Sequence, residues 1–335
     1  MMGVMVVDDE EGVRRSLKKV LEADGYSITL AESGREAIEI IRHNGRQIEV
    51  VISDFKMPGI DGLETLVEIG KINPEITRIM LTGYATMESA IEAVNAGIDG
   101  FLTKPFDNKE LRAKVREFMM KKHLKQLVSE QVLQEMQQDS RRLAPRDVEV
   151  AVMFIDIRGF SNLAESLRAD ELCELINTRY FAPLDDIIFQ YNGTLDKHIG
   201  DAIMAVFGAP KGYGDDALRA VHSALALREK MQEVNERLAA NGLSLPIGIG
   251  IATGMVRAGM FGSRRKKEYT VYGNTVVLAA RLEKLAQGGQ IIICGETYRR
   301  TAGEIEVEAV GDVALKGVGR LQELYSVTAL KEKKS

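Results

Sequence analysis

The chain has 335 residues, with 44 lysines and arginines against 49 aspartates and glutamates and a formal net charge of −5. That length holds two domains of ordinary size with substantial cores, and the nearly balanced, slightly acidic charge argues against a nucleic-acid surface. The two cysteines, Cys173 and Cys294, stand far apart in apolar neighbourhoods and read as buried thiols, and the four histidines show no ligand spacing. No signal peptide precedes the first apolar run and no run approaches a membrane span, so a soluble, cytoplasmic protein without a membrane partner is expected.

Met5–Val7 is an apolar run ending in Asp8-Asp9, and Val50–Ser53 is another ending in Asp54. Three carboxylates at the ends of parallel strands form an acidic pocket for one Mg²⁺. The same grouping makes one aspartate a phosphoryl acceptor, because the metal and a nearby cation offset the charge it gains. Leu81-Thr82 and Leu102-Thr103-Lys104-Pro105 close two further strand-like runs and supply a hydroxyl and an ammonium. Taken singly, Asp8-Asp9 is an ordinary helix start, Thr82 a cap and Phe101 plain core; five strand ends in order point to a site instead.

With ISDFKMPGIDG at 52–62, these pieces resemble the receiver domain of two-component response regulators over residues 3 to about 120. The resemblance implies a doubly wound (βα)5 fold on a parallel sheet and a sensor histidine kinase as partner. It makes Asp54 the phosphoacceptor and places Mg²⁺ on Asp8, Asp9 and Asp54. Thr82 and Lys104 would contact the phosphoryl oxygens, Phe101 would turn inward when Thr82 moves, and Lys104-Pro105 would be a cis peptide.

From Asn108 to about Arg142 there is neither proline nor glycine, and Leu111, Val115, Phe118, Leu124, Val128, Val132 and Met136 recur at mostly helical intervals. This predicts one long amphipathic helix ending near Ala144-Pro145. Its stripe fits a short two-stranded parallel coil, irregular around Lys121-Lys122 and Gln126, with packing inside the chain as the alternative.

Beyond the linker, MFIDIRGF at 153–160 and NGTLDKHIGDAIMAVFG at 192–208 each set one aspartate against an apolar, strand-like run. Asp156 and Asp201 on adjacent strand ends are what a pair of divalent cations needs to hold a triphosphate, since hard cations take oxygen ligands and phosphate oxygens complete the shell. Either aspartate alone could be a turn residue. Lys197 precedes Asp201 by four residues. Strands are expected near 150–156, 194–199, 202–207, 247–254 and 290–294, with helices near 161–168, 170–190, 215–241 and 275–286. The loop 262–270 is basic and exposed; it is either a solvated face or a neighbour of the nucleotide phosphates.

Together with EYTVYGNTVVLAARLE at 268–283, these stretches resemble class III nucleotide cyclases over about 145 to 330. The resemblance implies an α+β fold on a mainly antiparallel sheet. Asp156 and Asp201 would bind two Mg²⁺ or Mn²⁺ ions, and Lys197 with Thr270 would read adenine, so that ATP is the substrate. Arg281 would stabilise charge on the transferred phosphate and Lys316 contact the terminal phosphates. The family needs a homodimer, in which the metal aspartates of one protomer face Lys197, Thr270 and Arg281 of the other. One position departs: Val277 stands where the family has an asparagine, and a valine has no polar group to offer.

The expected organisation is a receiver at 1–120, a helical coiled-coil linker at 121–144, a cyclase domain at 145–330 and a tail at 331–335. The expected function is a phosphorylation-controlled adenylate cyclase converting ATP to cyclic AMP and pyrophosphate, with no DNA partner. The alternative is a weak or inactive cyclase-like module that dimerises and binds nucleotide, with relaxed substrate choice including GTP as a third reading.

Overall fold

The computed structural model describes residues 2–44, 47–83, 97–127, 129–138, 140–315 and 321–331. The chain divides into two compact units, Met1–Leu127 and Val128–Ser335.

In the first unit β1 (Gly3–Val7), β2 (Ser27–Ala31), β3 (Ile48–Asp54), β4 (Thr77–Thr82) and β5 (Gly100–Thr103) form a parallel sheet in the order β2-β1-β3-β4-β5 among the described residues. Strands covered on both faces must be apolar throughout, and β1 reads Gly-Val-Met-Val-Val. Alternate residues serve opposite faces. Met5, Val7, Val51 and Met80 pack with Leu66 and Ile69 of α3 (Gly62–Ile72) and with Ile38 and Ile41 of α2 (Gly34–Asn44). Val4, Val6, Ile52 and Leu81 pack with Leu17 and Leu21 of α1 (Glu11–Glu22) and with Leu111 and Val115 of α4 (Asn108–Leu127). Strand order reverses between β1 and β3, which opens a crevice at their carboxyl ends.

The single helix expected over 108–142 is two helices. α4 stops at Leu127, and α5 runs from Glu130 to Gln138. Ser129, a residue type that favours helix starts, stands at the break, and its carbonyl accepts from Leu133 N at 3.1 Å. Lys122, where the heptad is irregular, is a tether. Its ammonium donates to Pro74 O at 2.8 Å and to Asp99 Oδ2 at 3.2 Å, clasping α4 to the receiver. α5 belongs to the second unit: Gln131 Nε2 donates to Gly193 O at 2.7 Å, and Val132 is buried.

The second unit carries, among the described residues, eight strands. β6 (Arg146–Ile157), β7 (Thr194–Ile199), β8 (Ala202–Phe207), β9 (Ile247–Gly262), β11 (Ile291–Cys294), β12 (Ile305–Val313) and β13 (Gln322–Leu330) run β12-β13-β11-β9-β6-β8-β7, and β10 (Lys267–Tyr272) pairs with the far end of β9. Only β9 and β11 pair in parallel among these. One face is covered by α6 (Phe160–Ser166), α7 (Ala169–Ile176), α8 (Ala182–Gln190) and α9 (Asp216–Ala239), with Tyr180, Leu184, Val221 and Leu227 in the core. The other face carries α10 (Asn274–Leu285), whose Ala279 and Leu282 lie against Ala252 and Val256. α10 packs so closely that a Cβ on Gly250 of β9 would sit 2.1 Å from Glu283 N. α11 (Gly295–Thr301) follows β11.

Two expectations are corrected here. Cys173 is exposed, on α7, while Cys294 is buried as expected, and both thiols are free. The basic stretch 262–270 is mostly hairpin: only 263–266 turn, and β10 takes over from Lys267. Val277 is 43% exposed in the first turn of α10. No helix among the described residues is long and apolar enough to cross a membrane.

Candidate functional site

At the crevice of the first unit, Asp8 follows β1 and Asp54 ends β3, and Lys104 follows β5 with its ammonium between them. Lys104 Nζ lies 2.5 Å from Asp54 Oδ1 and 3.4 Å from Asp8 Oδ2. Glu10 N donates to Asp8 Oδ1 at 2.9 Å, and Arg14 Nη1 donates to the Asp8 carbonyl at 2.6 Å. Burial raises Asp8, outweighing the Glu10 amide and the Lys104 charge. Burial also works against the Lys104 ammonium, yet the hydrogen bond and charge of Asp54, joined by Asp8, hold it above its ordinary value. Thr82 is buried at the end of β4, Phe101 is exposed on β5, and the Lys104–Pro105 peptide is cis. Among the described residues Asp8 and Asp54 flank the lysine, and Asp9 is exposed beside them.

In the second unit the sequence brings Asp156 and Asp201 together. Asp156 is the penultimate residue of β6, and Ile157 N donates to its Oδ1 at 3.1 Å. Asp201 sits in the β7–β8 turn, which Gly200 makes possible by taking φ +65°. Tyr180, fully buried in a π-turn spanning Asn177–Phe181, donates its hydroxyl proton to the Asp201 carbonyl at 2.8 Å. Phe181 of the same turn stacks on His198 of β7, with ring centroids 4.1 Å apart. The turn thereby holds the hairpin that carries Asp201. Burial, and then the facing Asp156 carboxylate, push Asp201 up to about 6. Among the described residues no three Asp, Glu, His or Cys side chains converge as a ready metal cage. Two facing carboxylates are nonetheless a hard-oxygen donor set whose mutual repulsion a divalent cation relieves, so the residues fit such an ion.

Beyond the turn, Lys197 and Thr270 meet through residues that the motif reading passed over. Thr270 Oγ1 donates to Asp196 Oδ2 at 3.0 Å, and Lys197 Nζ lies 3.5 Å from the same carboxylate and 2.8 Å from Glu268 Oε1. Thr270 is 3% exposed. Burial opposes the Lys197 charge, but Glu268 and Asp196 outweigh it and raise the ammonium above its ordinary value. Burial likewise raises Asp196, against the pull of the Thr270 hydrogen bond and Lys197. Asp196 was legible only as the neighbour of a lysine; its part depends on β10 folding back to it.

Arg281 projects from α10, and among the described residues its Nε–H has no partner. Glu283, two residues on, is buried in an ion pair with Arg158, which follows Asp156 by two. That pair ties the strand end that carries Asp156 to the helix that carries Arg281. Lys316 lies outside the described residues.

Comparison with known proteins finds a family for each unit. The sequence model for the adenylate and guanylate cyclase catalytic domain matches residues 144–329, more than half of the chain, and that for the response regulator receiver domain matches 4–116. The transcriptional regulatory protein ZraR of Escherichia coli O157:H7 is 36% identical over 121 residues, 36% of this chain and 27% of that protein. The response regulator MprA of Mycolicibacterium vanbaalenii is 35% identical over 113 residues, 34% of this chain and 48% of that protein. The chain thus spans less than half the length of these curated relatives. Among solved structures, the adenylyl cyclase CyaB from P. aeruginosa is 35% identical with a TM-score of 0.55, covering 58% of this chain and 100% of that one. The guanylyl cyclase Cya2 is 34% identical with a TM-score of 0.54, covering 57% and 98%. This chain therefore belongs to the class III adenylate and guanylate cyclase family, its catalytic domain preceded by a response regulator receiver domain.

Proposed function

We propose that the protein is a phosphorylation-controlled adenylate cyclase, acting as a homodimer on ATP. The observation that carries this is the placement of Asp156 at the end of β6 facing Asp201 in the β7–β8 turn, where burial and then the Asp156 carboxylate raise Asp201. Such a pair is a binding site for cations that accompany a nucleoside triphosphate. When bound, two divalent ions neutralise the triphosphate and ease loss of the ribose 3′-hydroxyl proton.

The chain's own groups do the rest. Asp156 and Asp201 hold the ions at the end of β6, Lys197 and Thr270 orient the base, and the guanidinium of Arg281, whose Nε has no partner among the described residues, meets charge developing on the transferred phosphate. In this reading the second set comes from the other protomer. The exposed apolar side chains Ile199, Met255 and Tyr272 supply a surface for that association. At the receiver, Asp54 takes the phosphoryl group from a histidine kinase, with Lys104 offsetting its charge and Asp8 helping to hold Mg²⁺.

The test is cyclic AMP formation by the purified full chain with ATP and Mn²⁺, abolished in Asp201→Ala. A second reading, a nucleotide-binding dimerisation module without turnover, is favoured by Val277, whose exposed side chain offers no hydrogen bond. Absence of product from both wild type and Val277→Asn selects that reading.

A further inference from the structure

The Lys197 cluster can be counted donor by donor. An ammonium has three N–H donors and no acceptor, and a threonine hydroxyl has one donor and two lone pairs. Glu268 accepts from Lys197 at 2.8 Å, and Asp196 lies 3.5 Å from the same nitrogen. Even with both satisfied, one N–H remains. Thr270 spends its single proton on Asp196 at 3.0 Å, so its oxygen keeps only lone pairs.

Asp196 reaches Thr270 because β7 is irregular at that point. Leu195 pairs with Ala205 and Lys197 with Met204, leaving Asp196 as the extra residue of a β-bulge. A bulge re-aims a side chain that strict alternation would send to the opposite face. Asp196 and Lys197, adjacent in sequence, thereby serve the same cluster. The Asp196 side chain is 3% exposed and that of Lys197 31%, so solvent reaches the lysine while the carboxylate stays behind it.

We infer that Asp196 is the specificity-determining residue of the base site: by holding the Thr270 proton it leaves the cluster with one donor and one acceptor, the complement of adenine and the inverse of guanine. The inference rests on the adenylate reading above. The adenine edge offers a ring nitrogen that accepts and an exocyclic amino group that donates, matching Lys197 and the Thr270 oxygen. Guanine offers a carbonyl and a ring N–H at the same places and meets like with like at both. Asp196 touches no base; it acts through Thr270.

The experiment measures kcat/KM for ATP and for GTP with the full chain and Mn²⁺, or, where turnover is too slow, competitive binding of the two nucleotides. Asp196→Asn keeps the shape but can donate from its amide nitrogen to Thr270, releasing the hydroxyl proton toward the base. The ATP-to-GTP ratio is expected to fall roughly tenfold or more, whereas general loosening of the fold lowers both nucleotides together. Thr270→Val is expected to lower the ratio similarly, Thr270→Ser to keep it, and Asp196→Asn to add nothing in the Thr270→Val background. An unchanged ratio in Asp196→Asn, or a further shift in the double variant, overturns the role of Asp196. Should Asp196→Asn not fold, an unchanged ratio in Thr270→Val does the same. A wild type that prefers GTP, or binds neither nucleotide, overturns the adenylate reading itself; an ATP-selective wild type with an indifferent Asp196→Asn overturns only this inference.

Discussion

Asp201 faces Asp156 across the end of β6, and burial followed by the Asp156 carboxylate pushes it up to about 6 from an ordinary 3.8. Because the folded-state value is raised, the folded chain holds this proton more tightly than the unfolded one. The stability it contributes is full below the ordinary value and is lost as pH rises through about 6. Without divalent cations, the melting temperature of wild type should therefore drop between about pH 4 and pH 7 by ~2–4 °C relative to Asp201→Asn, a loss of about 1 kcal/mol after solvent screening. Excess Mn²⁺ should recover the loss at neutral pH in wild type only. Parallel pH curves for the two proteins would show that the carboxylates do not sense each other.

Val277 is exposed at the start of α10, so an asparagine there displaces no core contact. Valine and asparagine also have similar helix propensities, and the change should alter stability by less than about 0.5 kcal/mol. If a missing amide limits turnover, Val277→Asn should raise cyclic AMP production by roughly 10² to 10³ at saturating ATP. Steady-state kinetics with ATP and Mn²⁺ measure it; an increase below about threefold assigns the limit elsewhere.

The Arg158–Glu283 pair bridges β6 and α10, and the Glu283 side chain is only 4% exposed. Truncating one partner strands the other, so Glu283→Ala should destabilise the cyclase unit by about 3–5 kcal/mol, with the Arg158→Ala, Glu283→Ala double variant costing less than the sum. Urea unfolding gives both values. Strict additivity would mean that the two side chains act independently.

Lys104 lies 2.5 Å from Asp54, placing a cation beside the proposed phosphoacceptor. Acid-labile incorporation of phosphate from a small phosphodonor should fall to background in Asp54→Ala. Wild type treated with beryllium fluoride, which mimics the phosphorylated aspartate, should then differ from Asp54→Ala in both dimerisation and cyclase rate. Identical sedimentation and identical turnover would uncouple the two domains.

The receiver fold was legible almost entirely, because Asp8, Asp54 and Lys104 each close a short apolar run and the sheet order delivers those ends to one crevice. Asp156 and Asp201 were legible for the same reason. What escaped the sequence was whatever depends on strands returning from a distance. β10 hid inside a basic stretch, so Glu268 could not be seen to reach Lys197, nor Thr270 to reach Asp196. β12 and β13 carry too many polar residues for a clean alternation: only Ile305 of β12 and Leu324 and Val327 of β13 are fully buried hydrophobics. Helix α4 was read too long because 108–142 holds no proline or glycine, and the anchoring of Lys122 by Asp99 is invisible to a periodicity count.

The position of α5 bears on where the catalytic unit can be cut free. Its Val132 is buried and its Gln131 caps the Gly193 carbonyl, although the family match begins only at residue 144. A fragment started at Pro145 would strip this helix from the strand that carries Lys197, exposing apolar surface and leaving that carbonyl to water. The smallest autonomous catalytic piece should begin ahead of Ser129, and the nine residues Glu130–Gln138 are its first wall.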